Sequence, residues 1–188
     1  MRKTAATGER SDDELLQLST RGDEEAFLTL YHRHQGSIFR FALHMSGQRE
    51  TAEEVTQEVF LALLSESRKY LAERGDLQAY LIGVARNKVR RQIRQTRGFA
   101  SLARTEPVVE AESFEALSKE QEAQALRAAI LSLPPNYREV VVLCDLENMD
   151  YAQAARHLGC AIGTVRSRLH RARMILGSKL RNGMRCRV

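Results

Sequence analysis

The 188-residue chain is long enough for one ordinary domain or two small ones, and its 43% hydrophobic and 28% charged residues are typical of a globular protein. It has no apolar run long enough to span a membrane and no signal-peptide pattern, and its three cysteines lack the spacing of a disulfide framework. These features exclude a membrane or disulfide-rich secreted protein and predict a cytoplasmic one. The net charge of +5 favours an anionic partner.

Helical periodicity organises the N-terminal part of the chain. Ser11 and Glu14 match a capping box that begins a first helix, and a Gly-Asp pair ends it. Apolar residues then recur at helical spacing over 24–45, where Gly36 is a candidate joint, and again over 51–65. The helix over 51–65 carries acidic and amide side chains on the side opposite its apolar stripe.

Basic residues are concentrated in two parts of the chain. A long helix is predicted over 77–95, apolar at its start and rich in arginine towards its end. The stretch 77–105 contains seven basic residues and no acid, and the stretch 151–188 contains nine basic residues and no acid. Because a solvated surface usually mixes its signs, two acid-free stretches indicate contact with a polyanion.

A change in composition separates two helical blocks. Residues 98–118 lack sustained periodicity and are rich in acids, which predicts a flexible linker. Helical patterns resume near Lys119, stop at a Leu-Pro-Pro sequence and return over 136–146. No strand pattern competes. The sequence therefore predicts an all-α protein with two small helical domains joined by a flexible acidic linker, the second containing a helix-turn-helix.

The helix-turn-helix is predicted at about 150–173. Apolar residues at i, i+3, i+4 and i+7 from Tyr151 to Leu158 give one short helix, and Gly159 follows where a left-handed residue ends a helix. A second helix begins at about 163, within GTVRSRLHRAR, which has four arginines and no acid nearby in the sequence. Arginine forks match guanine edges and phosphates, so the second helix is predicted to enter the DNA major groove. The alternative is a solvated basic face.

Three segments resemble one family. LPPNYREVVVLCDLENMDYAQAARHLGCAIGTVRSRLHRARMIL (133–176) resembles the promoter −35-binding domain of bacterial extracytoplasmic-function (ECF) sigma factors, which belong to the sigma-70 family. AEEVTQEVFLALL (52–64) is similar to the family's core-polymerase-binding helix, and YLIGVARNKVRRQIRQ (80–95) is similar to its −10-recognition helix. The resemblance covers about 24–180 in the family's order. Arg91, Leu64 and Tyr80 depart from the residues common in the family at their positions.

The resemblance implies a division of the chain and a role for each part. The implied parts are a tail and first short helix (1–22), a sigma region 2 domain (23–97), a linker (98–118) and a sigma region 4 domain (119–184). The residues implied to bind core polymerase are Glu54, Gln57 and Glu58. Those implied to contact −10 DNA are Lys69, Tyr70, Arg86, Asn87, Arg90, Arg91 and Arg94. Those implied to contact −35 DNA are Thr164, Arg166, Ser167, Arg168, His170, Arg171 and Arg173.

The resemblance also implies what the protein does. An alternative sigma factor binds core RNA polymerase, directs promoter-specific initiation by reading duplex −35 and melted −10 DNA, and aids strand opening. Such a protein is expected to need no cofactor, metal or small-molecule substrate and to be no enzyme. An anti-sigma factor is a further expected partner, which would keep the cytoplasmic protein inactive, in some cases at the membrane. The linker is expected to lie in the polymerase's RNA exit path.

Two other classes of protein compete with this interpretation. A stand-alone helix-turn-helix regulator would account for 134–180 but would leave the two N-terminal motifs without a role. An enzyme would need clustered catalytic or metal-binding residues, and the HxxC pair of His157 and Cys160 has no second pair to complete a zinc site. Cys144, Cys160 and Cys186 could form a redox switch, although buried or incidental thiols are the favoured interpretation.

Overall fold

The computed structural model describes residues 10–65, 77–99 and 114–185, and every regular element in these ranges is helical, as predicted. The helices are α1 (Asp12–Thr20), α2 (Glu24–Ser46), α3 (Arg49–Ser65), α4 (Leu77–Phe99), α5 (Phe114–Leu131), α6 (Pro135–Val141), α7 (Tyr151–Leu158) and α8 (Ile162–Arg185); a π-helical segment (Val142–Leu146) directly follows α6. We refer to α1–α4 as the N-terminal half and to α5–α8 as the C-terminal half.

Side-chain caps fix the beginnings of α1 and α2. The hydroxyl of Ser11 accepts a hydrogen bond from the backbone N–H of Glu14, and the Glu14 carboxylate accepts one from the backbone N–H of Ser11, which confirms the predicted capping box. Asp23 caps α2 with a single hydrogen bond, which its carboxylate accepts from the backbone N–H of Ala26. Asp12 then ties α1 to α2, because its carboxylate lies 2.7 Å from Nε2 of the buried His34.

The core of the N-terminal half lies between α2, α3 and α4. Its fully buried side chains recur at helical spacing on each element and include Leu30, Ile38, Phe41, Val55, Val59, Leu63, Leu81 and Val89. The joint predicted at Gly36 is wrong, since α2 runs unbroken from Glu24 to Ser46. His34 and Ile38, two residues before and two residues after Gly36, are buried, so tertiary packing outweighs the low helix propensity of glycine.

The helix-turn-helix forms the core of the C-terminal half. Asp150 and Gln153 make a second capping box at the start of α7, and Gly159 ends α7 with a φ of 62°, in the left-handed region as predicted. Helix α8 packs on α6 and α7 through a buried stripe formed by Val165, Leu169, Ala172 and Leu176.

Several helix boundaries differ from the sequence prediction; α4, for example, runs to Phe99, past its predicted end at 95. Helix α5 begins at Phe114, inside the segment predicted as linker. Residues 114–118 contain no glycine or proline, so they can form a helix, but they lack the apolar stripe from which a helix is predicted. The helix predicted over 136–146 changes at Val142 into a π-helical segment, in which the N–H of Glu147 donates to the carbonyl of Val142. The linker positions 100–113 and the loop positions 66–76 lie outside the described residues.

The two halves pack against each other and share one hydrophobic cluster. Helix α4 contacts α7, and α2 contacts α5, α6 and the π-helical segment. Arg138 of α6 is buried between the halves, where its guanidinium donates hydrogen bonds to the carbonyls of Met45, Leu131 and Leu133, and so satisfies the ends of α2 and α5. Arg40 of α2 adds an ion pair with Glu147, with Nη2 2.8 Å from Oε2.

The core can be tested with two neighbouring leucines of α2. We expect Leu30→Ala to lower the free energy of unfolding by about 2–5 kcal/mol, since Leu30 is 0% exposed and its removal leaves a cavity. Leu28→Ala is the matched control, because Leu28 is 51% exposed and should cost less than about 1 kcal/mol. Urea denaturation followed by circular dichroism measures both; equal losses would contradict the placement of α2.

Candidate nucleic-acid interface

The predicted −35 residues lie along α8, on the sides that do not pack into the core. The buried stripe of α8 fixes the helix against α6 and α7, so its remaining sides are presented to solvent. The exposed members of the predicted set are Arg166, Ser167, His170, Arg171 and Arg173, and the half-buried members are Thr164 and Arg168. This arrangement presents a basic surface on the second helix of the helix-turn-helix, as a major-groove reader requires.

One arginine of α8 has a carboxylate partner that the sequence analysis missed. Arg173 donates from Nε and Nη2 to the two carboxylate oxygens of Asp145, at 3.2 and 2.5 Å, and these hydrogen bonds raise its pKa above the ordinary value. The expectation that no acid would pair with these arginines is therefore wrong for Arg173, because the π-helical segment brings Asp145 to α8. Among the described residues, Arg168 and Arg171 form no ion pair.

Tyr151 provides a second contact to α8. The guanidinium of Arg166 lies 5.9 Å from the centroid of the Tyr151 ring, a cation–π distance, so the first residue of α7 helps to orient an arginine of α8. Tyr151 was predicted to belong to the apolar stripe of its helix. It is 37% exposed, and its ring lies at the edge of the basic surface.

The predicted −10 residues divide into three groups. Lys69 and Tyr70 lie outside the described residues. Asn87, Arg91 and Arg94 are exposed on α4. Arg86 and Arg90, by contrast, are half-buried and face the C-terminal half.

Arg86 and Arg90 converge on one buried carboxylate. Glu139 of α6 is 0% exposed, and its Oε1 lies 2.9 Å from Nε of Arg86 and 2.6 Å from Nε of Arg90. Arg90 also donates from Nη2 to Glu139 Oε2 at 3.0 Å and to the side-chain oxygen of Asn136. Arg86 donates from Nη1 to the carbonyl of Leu158, at the end of α7. We call Glu139, Asn136, Arg86 and Arg90 the Glu139 cluster.

The predicted polymerase-binding residues lie on α3 and two of them contact α4. Glu54 accepts a hydrogen bond from the amide of Gln92 at 2.9 Å, and Glu58 forms an ion pair with Lys88 at 2.7 Å. Gln57 is exposed. The three side chains thus share one face of α3. This face is not simply solvated, as its acidic side chains in the sequence suggested, because two of those acids also contact α4.

Partial burial makes Cys144 a poor nucleophile. Cys144 and Cys160 are free thiols, and burial, with a smaller effect of the nearby Asp145 carboxylate, raises the pKa of Cys144 to about 11. At neutral pH this thiol is protonated, which disfavours oxidation and metal binding. Within the described residues, no three His, Cys, Asp or Glu side chains gather as a metal site would require, and no helix has the length and apolarity to cross a bilayer.

Comparison with known proteins identifies the family. The family model for Sigma-70 region 2 matches residues 30–99, and the model for Sigma-70, region 4 matches residues 123–176. The ECF RNA polymerase sigma factor SigM of Mycobacterium tuberculosis is 33% identical over 176 residues, which cover 92% of this chain and 86% of SigM. The chain belongs to the ECF sigma factors.

Other relatives agree with this assignment and differ in length. The ECF RNA polymerase sigma factor SigE of Mycolicibacterium smegmatis is 31% identical over 163 residues, and BldN of Streptomyces coelicolor is 28% identical over 164 residues. The match with SigE covers 82% of this ECF sigma factor and 63% of SigE. The match with BldN covers 85% of this ECF sigma factor and 62% of BldN. The chain therefore spans less than two thirds of the length of these two relatives.

Solved structures show the same fold. CnrH, in complex with the cytosolic domain of CnrY, is 23% identical and superposes with a TM-score of 0.70 over 92% of this chain and 99% of CnrH. The sigma factor RpoE of Bartonella quintana, in complex with the anti-sigma factor NepR, is 25% identical with a TM-score of 0.60, over 78% of this chain and 91% of RpoE. The region 2 match in this ECF sigma factor spans most of α2 and all of α3 and α4, and the region 4 match contains α6, α7 and the start of α8.

Ion pairing predicts which arginine of α8 contributes more to binding duplex DNA. We expect Arg171→Ala to reduce the slope of log affinity against log salt by about 1, as for one lost phosphate contact. Arg173→Ala should reduce the slope less, because Asp145 already engages that guanidinium. Fluorescence anisotropy with a mixed-sequence duplex measures both, with the exposed Arg181→Ala on the same helix as the control. An Arg173→Ala effect equal to that of Arg171→Ala would contradict this account.

The raised pKa of Cys144 predicts slow alkylation of the folded protein. At pH 8 we expect iodoacetamide to modify Cys144 far more slowly than in the denatured chain, with the rate rising towards pH 11. Because the unfolded thiol ionises near 9.0, stability should also fall as the pH rises from about 9 to about 11. Peptide mass spectrometry after timed labelling measures the rate; equal rates at pH 8 in folded and denatured protein would contradict the burial of this thiol.

Proposed function

We propose that this chain is an alternative sigma factor that binds core RNA polymerase and directs promoter-specific transcription initiation. The observation that carries the proposal is the presence of both sigma regions in one chain, with an exposed arginine surface on the second helix of the helix-turn-helix. The proposed domains are region 2 over 23–97 and region 4 over 119–184. In this proposal the protein supplies recognition and performs no bond chemistry.

In the proposed complex, α8 reads duplex −35 DNA. Thr164 and Ser167, together with the arginines and His170 of the same helix, offer donors to base edges and phosphates, and an arginine fork suits guanine. Arg171, which is exposed and forms no ion pair within the described part of the chain, and the half-buried Arg168 are better placed for this role than Arg173, which Asp145 engages.

Helices α3 and α4 have the two other proposed roles. Gln57 is exposed between Glu54 and Glu58 on a rigid helix, a surface that suits a basic partner such as the coiled-coil clamp of the polymerase's largest subunit. On α4, the basic side chains would hold the non-template −10 strand and favour opening, while Tyr70 would stack on an unpaired base. The proposed roles of Lys69 in −10 binding and of the acidic linker in the RNA exit path rest on the sequence alone.

We also propose an anti-sigma factor as a partner. The solved RpoE relative is in complex with the anti-sigma factor NepR, and this chain superposes on RpoE with a TM-score of 0.60. The protein would then act in the cytoplasm, where such a partner, soluble or attached to the membrane, could withhold it from polymerase. The competing function is a stand-alone helix-turn-helix regulator, which would bind DNA without polymerase.

Two substitutions should separate polymerase binding from promoter reading. We expect Gln57→Ala to weaken co-purification with core RNA polymerase by roughly 5- to 30-fold, as for one central interface residue. Arg168→Ala should leave co-purification unchanged and reduce run-off transcription on genomic fragments by about ten-fold or more. The controls are Gln17→Ala and Arg181→Ala, which alter exposed side chains of the same types on α1 and α8.

Either of two results would contradict the proposal. Duplex binding by α8 without polymerase association would identify a stand-alone regulator. Polymerase association without any promoter-specific transcript would show that the chain has no role in initiation.

A further inference from the structure

The Glu139 cluster occupies two of the arginines that the proposed function assigns to the −10 strand. We propose that in the free protein Glu139 of the C-terminal half competes with the DNA backbone for Arg86 and Arg90, so that single-stranded DNA binds fully only after the two halves separate. This inference rests on the proposed role of α4. It assigns to Glu139, a residue of region 4, control over a binding surface of region 2.

The geometry of the cluster resembles that of an arginine–phosphate contact. Arg90 approaches Glu139 with two nitrogens, at 2.6 and 3.0 Å, which is the bidentate arrangement that guanidinium also makes with phosphate. Arg86 shares the same carboxylate oxygen at 2.9 Å. A nucleic-acid phosphate therefore needs the same donors that Glu139 already uses, and both ligands cannot occupy them together.

Burial makes the competition strong. The Glu139 carboxylate is 0% exposed, and a buried carboxylate is tolerated only when it is paired and hydrogen-bonded. Separation of the halves returns Glu139 to water and releases Arg86 and Arg90 at the same time. We call the arrangement with the halves packed together closed. The apparent affinity for single-stranded DNA is then the intrinsic affinity multiplied by the fraction of molecules whose halves are separated.

The closed arrangement affects the two DNA-binding surfaces differently. Helix α4 packs on α7, the first helix of the helix-turn-helix, whereas Arg166 and Arg171 of α8 stay exposed. On α4 itself, Arg91 and Arg94 stay exposed as well. The compact protein thus keeps its duplex-reading surface accessible while its single-strand surface is only partly available, which would order the steps as duplex binding first and strand capture second.

The test compares the affinity of full-length variants for single-stranded DNA. The probe is a labelled AT-rich oligonucleotide of about 20 nucleotides, longer than one binding site, in fluorescence anisotropy at fixed salt. We expect Glu139→Gln, which keeps the shape and removes the charge, to raise affinity about ten-fold over the wild type. Glu53→Gln is the matched control, because it breaks an exposed Arg–Glu pair within α3 with the same change in net charge; we expect less than a two-fold change.

A second variant keeps the test valid if Glu139→Gln fails to fold. Arg40→Gln removes the ion pair between the exposed Arg40 of α2 and the largely buried side chain of Glu147, which also joins the halves but lies outside the Glu139 cluster. The proposal predicts that this variant binds single-stranded DNA about two- to three-fold more tightly than the wild type, although it has lost a positive charge. A simple electrostatic effect would weaken binding.

The outcomes separate this inference from the proposed function. Equal affinities for Glu139→Gln and Glu53→Gln, or weaker binding by Arg40→Gln, would overturn the competition and leave the sigma-factor proposal intact. If Arg86→Ala and Arg90→Ala, added to Glu139→Gln, leave affinity unchanged, then α4 does not bind the strand through these residues, and the assigned −10 role of these arginines fails together with the inference. A ten-fold gain that is lost on adding the two alanines supports both.

Discussion

The arrangement of the two halves depends on one buried carboxylate. Glu139 of α6 is fully buried, and its charge is compensated by Arg86 and Arg90 of α4. Removal of one partner from such a pair leaves an uncompensated buried charge, which costs several kcal/mol, of the order of 3–5. The pairing is therefore a strong constraint on where α4 can lie relative to α6. The buried guanidinium of Arg138, which donates to the carbonyl of Met45, supports the same arrangement.

Helix α4 is consequently the element through which the parts of this ECF sigma factor meet. One side contributes Lys88 and Gln92 to the acids of α3, where polymerase binding is proposed. Another side contributes the arginines of the Glu139 cluster, and a third exposes Arg91 and Arg94. A change in any of these partners alters what α4 presents to the others, so the proposed polymerase docking and strand binding are physically connected to the packing of the two halves.

Local features were predictable from the sequence, and pairings between distant segments were not. The capping box at Ser11, the left-handed Gly159 and the buried stripe of α8 follow from residue type and spacing within one element. The partners of Arg86 and Arg173 lie on other helices, so acid-free stretches of sequence did not show them. The one available signal was Glu139 itself, a charge directly before the apolar run 140–143, where a buried position would require a buried partner. The joint predicted at Gly36 was wrong because the tertiary packing of α2 outweighs the low helix propensity of glycine.

The most direct test of this account is the distance between the two halves in solution, free and in the assembled complex. Spin labels on cysteines introduced at the exposed Leu28 and Met174, in a variant lacking the three native cysteines, would be measured by double electron–electron resonance. We expect one narrow distribution at short distance for the free protein, and a distribution at longer distance once core RNA polymerase and promoter DNA are bound. The same distribution in both states would contradict it.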